Sequence, residues 1–491
     1  MTQNRTNGTS LVWFRRDLRL DDNPALHAAI QSGRPLVLLF LREPDRDTTP
    51  SPGRASDWWL HHSLTSLQQS VQALGGRLVF KTGDAETAIP AIARECRAQE
   101  VFWNRRQLPW LDERDADIAL TLRDEDIRPH VFRGTLLDNS LEVLNGQGAP
   151  YRVFSAFWRA FNKTCSPDRP LPAPAQLHCA LTGLDSEVLD QWKLLPRSPD
   201  WASGFTPEWL PGEAGARIRL ESFLKAALAG YKENRDRPDI AGTSRLSPHL
   251  AWGEISPRAV WHLVRDRAEQ TGQFKSAEKF LAEIGWREFA YYLFHHFGDL
   301  RRTNFNRDFD RFPWREDPAG FTAWCKGLTG VPMVDAAMRE LWTTGWMHNR
   351  SRMIVASYLI KHIGCHWEDG MRWFEDTLVD SDIAINTASW QWVAGSGADA
   401  APYFRIFNPS SQGEKFDPSA DYVRKWVPEI ADLPDRYIHA PWDAPASVRM
   451  AAGLRLGESY PQPAVGLSEG RERALAAYRT MKERRDASED A

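Results

Sequence analysis

The chain has 491 residues, more than one hydrophobic core usually supports, so two domains are expected. Its 65 acidic residues outnumber its 61 basic ones, which excludes nucleic-acid binding through overall basicity and confines any such site to a local Arg/Lys patch. Five scattered cysteines with no C-x-x-C pair signal neither a disulfide framework nor a cysteine metal site, and no run approaches the roughly 18 to 20 apolar residues of a membrane span.

The polar start, Met1 to Ser10, lacks an apolar signal core, so an unprocessed cytoplasmic protein is expected, with no membrane partner. Short apolar runs at 11–14, 36–41, 78–80, 101–103 and 131–133 alternate with helical patterns, the rhythm of a parallel α/β sheet. From about Asn139 to Pro211 this periodicity fails and prolines cluster at 166–175 and 196–207, which reads as a long linker on the surface. From Ala214 the apolar spacing turns helical and strand signals nearly vanish. The expected domains are 9–140 (α/β), 141–210 (linker), 211–467 (all-helical) and 468–491, a charged tail that is partly helical at best. The 22 tryptophans suit packing, base stacking or electron relay, and their number does not choose among these.

Common nucleotide and hydrolase signatures are missing. Residues 395–400 match G-x-G-x-x-A, but they sit in the helical half with no strand before them, which argues against a dinucleotide loop. No G-x-x-x-x-G-K-[ST], H-E-x-x-H or G-x-S-x-G pattern occurs. The informative stretch is DSDIAINTASW at 380–390, where Asp382, Asn386 and Trp390 fall at i, i+4 and i+8 and share one helix face. A ring cofactor uses a carboxylate, an amide and an indole; a polar face with Trp390 merely packed uses the same spacing, which does not decide between them. Upstream, Arg352 has the charge to pair with Asp380 or Asp382. GTSRLS at 242–247, followed by Pro248, offers hydroxyls and N–H groups at a helix start, suited to phosphate or to a plain cap.

The stretches LVWFRRDLRL (11–20), GTSRLSPH (242–249), GWREF (285–289), MHNR (347–350) and AAPYFRIFNP (400–409), in this order, resemble the photolyase/cryptochrome family. WQWVAGSGAD at 390–399, preceded by TAS, is most similar to bacterial class III cyclobutane pyrimidine dimer photolyases. The resemblance implies a Rossmann-like α/β domain that binds an antenna, followed by an all-helical domain that binds FAD. It implies a deoxyribodipyrimidine photo-lyase that repairs dimers in UV-damaged DNA by electron transfer from photoexcited reduced FAD. Tyr231, Thr243, Ser244, Arg245, Leu246 and Ser247 would take the phosphate and ribose side of FAD. Arg352, Asp380 and Asp382 would hold the isoalloxazine region, with Asn386 beside N5, and Arg287 would also bind the cofactor. A neutral amide there suits a reduced, anionic flavin, and plant cryptochromes that this chain resembles place Asp at the matching position.

The same resemblance assigns Glu283 to the dimer's base edges, although an i,i+4 bridge to Arg287 is its local alternative. Trp286 and Trp392 would flank the flipped bases, with Asn349 and Met353 completing the pocket, where six-four photolyases carry His. Trp390, Trp367 and Trp314 match the family's electron chain, and Arg350, Arg405, Lys415 and Arg424 are candidate phosphate contacts. Glu113 matches the folate-binding Glu of related antennas, with Asp112 where Asn is frequent, so 5,10-methenyltetrahydrofolate is preferred to 8-hydroxy-5-deazaflavin. Phe280 stands where some dimer photolyases have Trp. No metal is expected, the chain is expected to be monomeric, and a cryptochrome photoreceptor or a DASH-type single-strand photolyase remains the alternative.

Overall fold

The structure is a computed structural model and describes residues 8–45, 53–137, 140–400 and 404–489. The polar start through Asn7, the linker start at Asn139, Ala401, Pro402 and Tyr403 of the 400–409 stretch, and the tail residues Asp490 and Ala491 lie outside them.

Strands β1 (Thr9–Phe14), β2 (Leu36–Arg42), β3 (Leu78–Thr82), β4 (Ala98–Asn104) and β5 (Arg128–Phe132) make one parallel sheet in the order β3-β2-β1-β4-β5. The continuous apolar runs of β1 and β2 are buried, as a sheet covered on both faces requires. Helices α1 (Pro24–Gln31), α2 (Arg54–Ala73), α3 (Ala85–Glu95) and α4 (Pro109–Asp124) supply the cover. Strand order reverses between β1 and β4, so the crevice beyond their carboxyl ends is flanked by Arg16, just after β1, and Arg106, just after β4.

Beyond β5 the described residues form helices, loops and isolated bridges. Six helices carry the site: α5 (Phe274–Phe297), α6 (Pro332–Thr344), α7 (Asn349–Ser357), α8 (Trp367–Thr377), α9 (Ile383–Ala394) and α10 (Leu467–Glu489). The two halves are locked together by buried polar contacts. Arg19 donates to the carbonyl of Gly253 at 3.0 Å, and Trp59 Nε1 donates to Glu254 at 3.0 Å. The Arg16 guanidinium lies 3.6 Å from the Trp252 ring centroid. Gly253 has φ +67°, and a Cβ there would sit 2.1 Å from the Arg16 carbonyl oxygen, so only glycine allows this approach.

Two expectations are corrected. The segment read as a surface linker contains the helix Phe154–Thr164, whose Phe154, Phe157 and Phe161 are buried in the core around α5. Their i, i+3, i+7 spacing is helical, and the flanking prolines obscured it. The charged tail is a continuous helix, α10, packed on the π-helical turn Tyr358–Ile363 and the turn Arg307–Arg311. Ala474 and Met481 are buried and Tyr478 is half-buried, which gives this polar helix a narrow anchoring stripe.

Candidate active site

Helix α9 starts where Asp382 caps it: one carboxylate oxygen accepts from the Ile385 N–H at 3.0 Å and the other accepts from the Tyr291 hydroxyl at 2.6 Å. Burial, then the neighbouring Asp382 charge, pushes the Tyr291 phenol pKa up, so Tyr291 stays a donor. One turn and two turns further along α9, Asn386 and Trp390 are buried. The Asn386 amide nitrogen donates to the Met371 carbonyl at 3.0 Å, which orients the amide. The predicted row therefore exists on one helix.

Asp380 precedes that cap and accepts from Arg352 at 2.7 Å, and Arg352 Nε also donates to the Met347 carbonyl at 2.8 Å. Of the two partners expected for Arg352, Asp380 takes the bond, because Asp382 is committed to the cap and to Tyr291. Asp380 Oδ1 is buried with no hydrogen-bond partner among the described residues, and so is Nε of Arg287, whose Nη1 pairs with Glu288 at 3.3 Å. Burial, only partly opposed by Arg287, raises the Glu288 pKa to about 7. A lone acceptor and a lone donor in buried positions suit a polar heterocycle with both N–H and C=O edges, so the donor set fits FAD.

The 242–247 stretch forms the adjoining wall. Arg245 has φ +51°, stacks between Trp209 and Trp346 at 4.7 and 4.6 Å, and donates to Glu208 at 3.0 Å. The Ser247 hydroxyl accepts from Trp346 Nε1 at 3.1 Å, and the Leu246 N–H donates to the Ser244 hydroxyl at 3.4 Å. Thr243 and Ser244 are half-buried, Leu246 is buried, and Tyr231 packs edge-on against Phe280 at 5.3 Å. Phe280 thus braces Tyr231.

On the outer face, Glu283 pairs with Arg235 and lies 3.8 Å from Lys279. The alternative bridge from Glu283 to Arg287 does not form, because Arg287 turns inward to Glu288. Arg235 also neighbours Asp236 at 3.7 Å, and Asp236 holds Arg350 at 2.9 Å, so an ionic chain runs from α5 to α7 across the segment at 235–236. Trp286 is half-buried and stacks on Phe154 at 3.8 Å and 13°. Asn349 is exposed and Met353 half-buried on α7. Trp392 is half-buried, and its Nε1 donates to the Asp399 carbonyl at 3.1 Å. Arg405 is exposed, and Lys415 lies 5.1 Å from the Phe416 ring. Arg424 is corrected as a phosphate candidate: it donates to the Ala431 and Leu433 carbonyls and pairs with Asp435, so it ties its own loop.

Trp390 lies on Gly370 of α8, where a Cβ would meet the indole at 2.1 Å, and Gly370 is one turn from Trp367 on that helix. Trp390 and Trp367 are buried, while Trp314 is half-buried. Between the outer two sits His366, 4.8 Å from Trp314 and 5.6 Å from Trp367, with Nδ1 accepting from the Glu368 N–H at 3.2 Å. Burial lowers the imidazole pKa, which favours its neutral form.

The crevice between β1 and β4 opens into a recess lined by Arg16, Arg106, Leu108, Thr135, Tyr291 and Asp382. Burial, then Arg106, lowers the Arg16 pKa to about 10, and its Nη1 has no partner among the described residues. Glu113 is exposed on α4, and Asp112 pairs with Arg105 at 2.9 Å.

Residues 280–480 match the FAD binding domain of DNA photolyase, and residues 10–175 match DNA photolyase. A deoxyribodipyrimidine photo-lyase of Agrobacterium fabrum is 49% identical over 96% of this chain and 98% of its own length. This chain belongs to the DNA photolyase/cryptochrome family. Among its relatives, cryptochrome-1 of Arabidopsis thaliana is 38% identical over 97% of this chain and 71% of that protein. The crystal structure of a bacterial class III photolyase from Agrobacterium tumefaciens superimposes with a TM-score of 0.95 at 48% identity, covering 98% of this chain and 99% of the other.

Within this photolyase-family site, sequence reading missed Arg235, Asp236, His366 and Lys361. Arg235 and Asp236 stand in a charged run, YKENRDRPD, whose only signal was alternating sign. Lys361 sits in an apolar stretch, YLIKHI, and an isolated lysine among apolar residues was the signal available. Among the described residues no group of His, Cys, Asp and Glu could hold a metal, and no helix is long and apolar enough to cross a membrane.

Proposed function

We propose that this protein repairs cyclobutane pyrimidine dimers in DNA using near-UV or blue light, as a deoxyribodipyrimidine photo-lyase. The observation that carries the reading is the 49% identity to a protein of that name over nearly the full length of both chains. The Arg352–Asp380 pair, capped Asp382 and oriented Asn386 support FAD as the cofactor. When bound, reduced FAD supplies on illumination the electron that opens the cyclobutane ring and recovers it afterwards.

The chain's own residues do the rest. Asp380 and Arg287 accept and donate at their unpartnered atoms, Asn386 offers a neutral amide at the flavin edge, and Tyr231 with 243–247 lines the phosphate and ribose side. Glu283 hydrogen-bonds the dimer's base edges once Arg235 releases it. Trp286 and Trp392 stack on the flipped bases, each stacking being worth roughly 1–3 kcal/mol. Asn349 and Met353 complete the pocket, and Arg350 and Arg405 serve the phosphates, so affinity falls as salt rises. The dimer pairs and stacks poorly, which makes its extrusion cheap and selective. Trp390, Trp367 and Trp314 pass electrons inward, an order their burial supports. For the antenna we favour 5,10-methenyltetrahydrofolate at Glu113 over 8-hydroxy-5-deazaflavin; extraction and absorbance of the bound chromophore decide between them. The protein acts as a cytoplasmic monomer on damaged DNA.

The 38% identity to cryptochrome-1 supports a second reading, a photoreceptor without repair. Purified, reduced protein incubated with a thymine-dimer oligonucleotide separates the two. Light-dependent loss of dimers, absent in the dark and sharply lowered by Glu283→Ala, is the expected result; photoreducible FAD without repair selects the photoreceptor. Comparing single-stranded with duplex substrate separates a DASH-type enzyme.

A further inference from the structure

Helix α10 is fastened to the helical domain at a place that continues to the lesion face. Arg473 donates to the His362 carbonyl, and a Cβ on Gly470 would lie 2.9 Å from His362 Cα, so the helix lies close on the π-helical turn. One face further on, the Tyr478 ring stacks on Phe404 at 4.7 Å and 6°.

Against the same Phe404, Lys361 Nζ lies 4.3 Å from the ring centroid and donates to the Arg405 carbonyl. Lys361 is 3% exposed and has no carboxylate partner among the described residues. A buried, unpaired lysine is expensive to keep, so its bond to one backbone carbonyl is informative. At 3% exposure it does not reach a DNA phosphate. Lys361, Phe404, Arg405 and Tyr478 line one small cavity together with Trp392 and Val393. Trp392 in turn is anchored by its bond to the Asp399 carbonyl.

We propose that Lys361 and Tyr478 are positioning residues for lesion recognition: together they hold the backbone at Phe404–Arg405 against Trp392, so that helix α10 sets the orientation in which that indole meets the dimer. This rests on the reading of Trp392 as a lesion-flanking residue. A one-sided loss of packing around a single stacking residue weakens lesion binding without touching the flavin or the phosphates.

The test measures, on flavin-loaded full-length protein, the Kd for a thymine-dimer duplex, the Kd for the undamaged duplex, and repair per absorbed photon at saturating substrate. Lys361→Met and Tyr478→Ala are each expected to raise the dimer Kd by about tenfold, the equivalent of part of one base-stacking interaction, with the other two quantities unchanged. Tyr478→Phe, which keeps the ring, is expected to keep wild-type affinity. Trp392→Ala is run beside them. If Trp392→Ala loses dimer affinity while Lys361→Met and Tyr478→Ala stay within about twofold of wild type, the positioning role is overturned. Equal losses on damaged and undamaged DNA overturn it as well. If Trp392→Ala itself keeps full dimer affinity, the lesion-flanking reading is what fails. Should Lys361→Met not fold, the contrast between Tyr478→Ala and Tyr478→Phe decides alone.

Discussion

The cofactor side and the lesion side of the helical domain are built on opposite plans. On the cofactor side, Asp380, Arg287 and Glu288 are buried, Asp382 and Arg352 are half-buried, and each charged group is tied to a fixed partner: Asp382 to a helix start and Tyr291, Asp380 to Arg352, Arg287 to Glu288. On the outer face, Glu283, Arg235, Asp236 and Arg350 are half-buried and paired with one another, and these are the groups the incoming DNA requires. Buried pairs fix geometry and are costly to break, whereas partly exposed pairs contribute little and exchange readily. One side is preorganised for a resident ligand, and the other holds its polar groups in store for a transient one.

The largest effect is expected from Asp380→Ala, which strands Arg352 and removes the lone acceptor. Stability should fall by roughly 3 kcal/mol, and flavin absorbance per chain should fall with it. Retained flavin at wild-type stability would break the comparison. Glu283→Ala should leave flavin content intact and lower dimer repair by about tenfold to a hundredfold, the range of one charge-assisted hydrogen bond. Loss of flavin in that variant would erase the distinction between the two sides.

A smaller and opposite effect is expected from Asp236→Ala, which frees Arg350 for phosphate. Undamaged duplex should bind a few-fold more tightly, with the salt slope steeper by about one charge. Filter binding across a salt series measures both. A separate effect concerns pH and the lysine behind the lesion face. Burial, then Arg405, lowers the Lys361 pKa from 10.5 to about 7; Arg473 on the neighbouring His362 and Lys482 over Tyr478 add only positive charge there. The unfolded chain therefore binds more protons between pH 7 and 10.5, so this group makes stability rise with pH across that window. Urea midpoints of Lys361→Met should lack that contribution; an identical pH slope in both proteins would show that Lys361 is solvated.

Much of the site was readable because its spacing is local. Asp382, Asn386 and Trp390 share a face by helical geometry alone, and the alternating apolar runs dictate a parallel sheet wherever they are paired. Partner choice was not local. The i,i+4 rule offered Arg287 to Glu283, but a buried Glu288 needs a cation more than a half-exposed Glu283 does, and Arg235 comes to Glu283 from 48 residues away in the chain. The same reason separates composition from structure at the C-terminus. The charge of residues 468–491 describes a solvated segment, and the anchoring positions Tyr478 and Met481 become a packed face only because Phe309, Phe312 and Phe404 stand opposite them. Sequence by itself determined the strands of the sheet, the helical character of the second half and which polar groups of α9 share a face, since these depend on backbone periods. The tertiary structure decided which buried charge meets which, and what the last helix leans on, since desolvation and packing depend on groups brought together from distant parts of the chain.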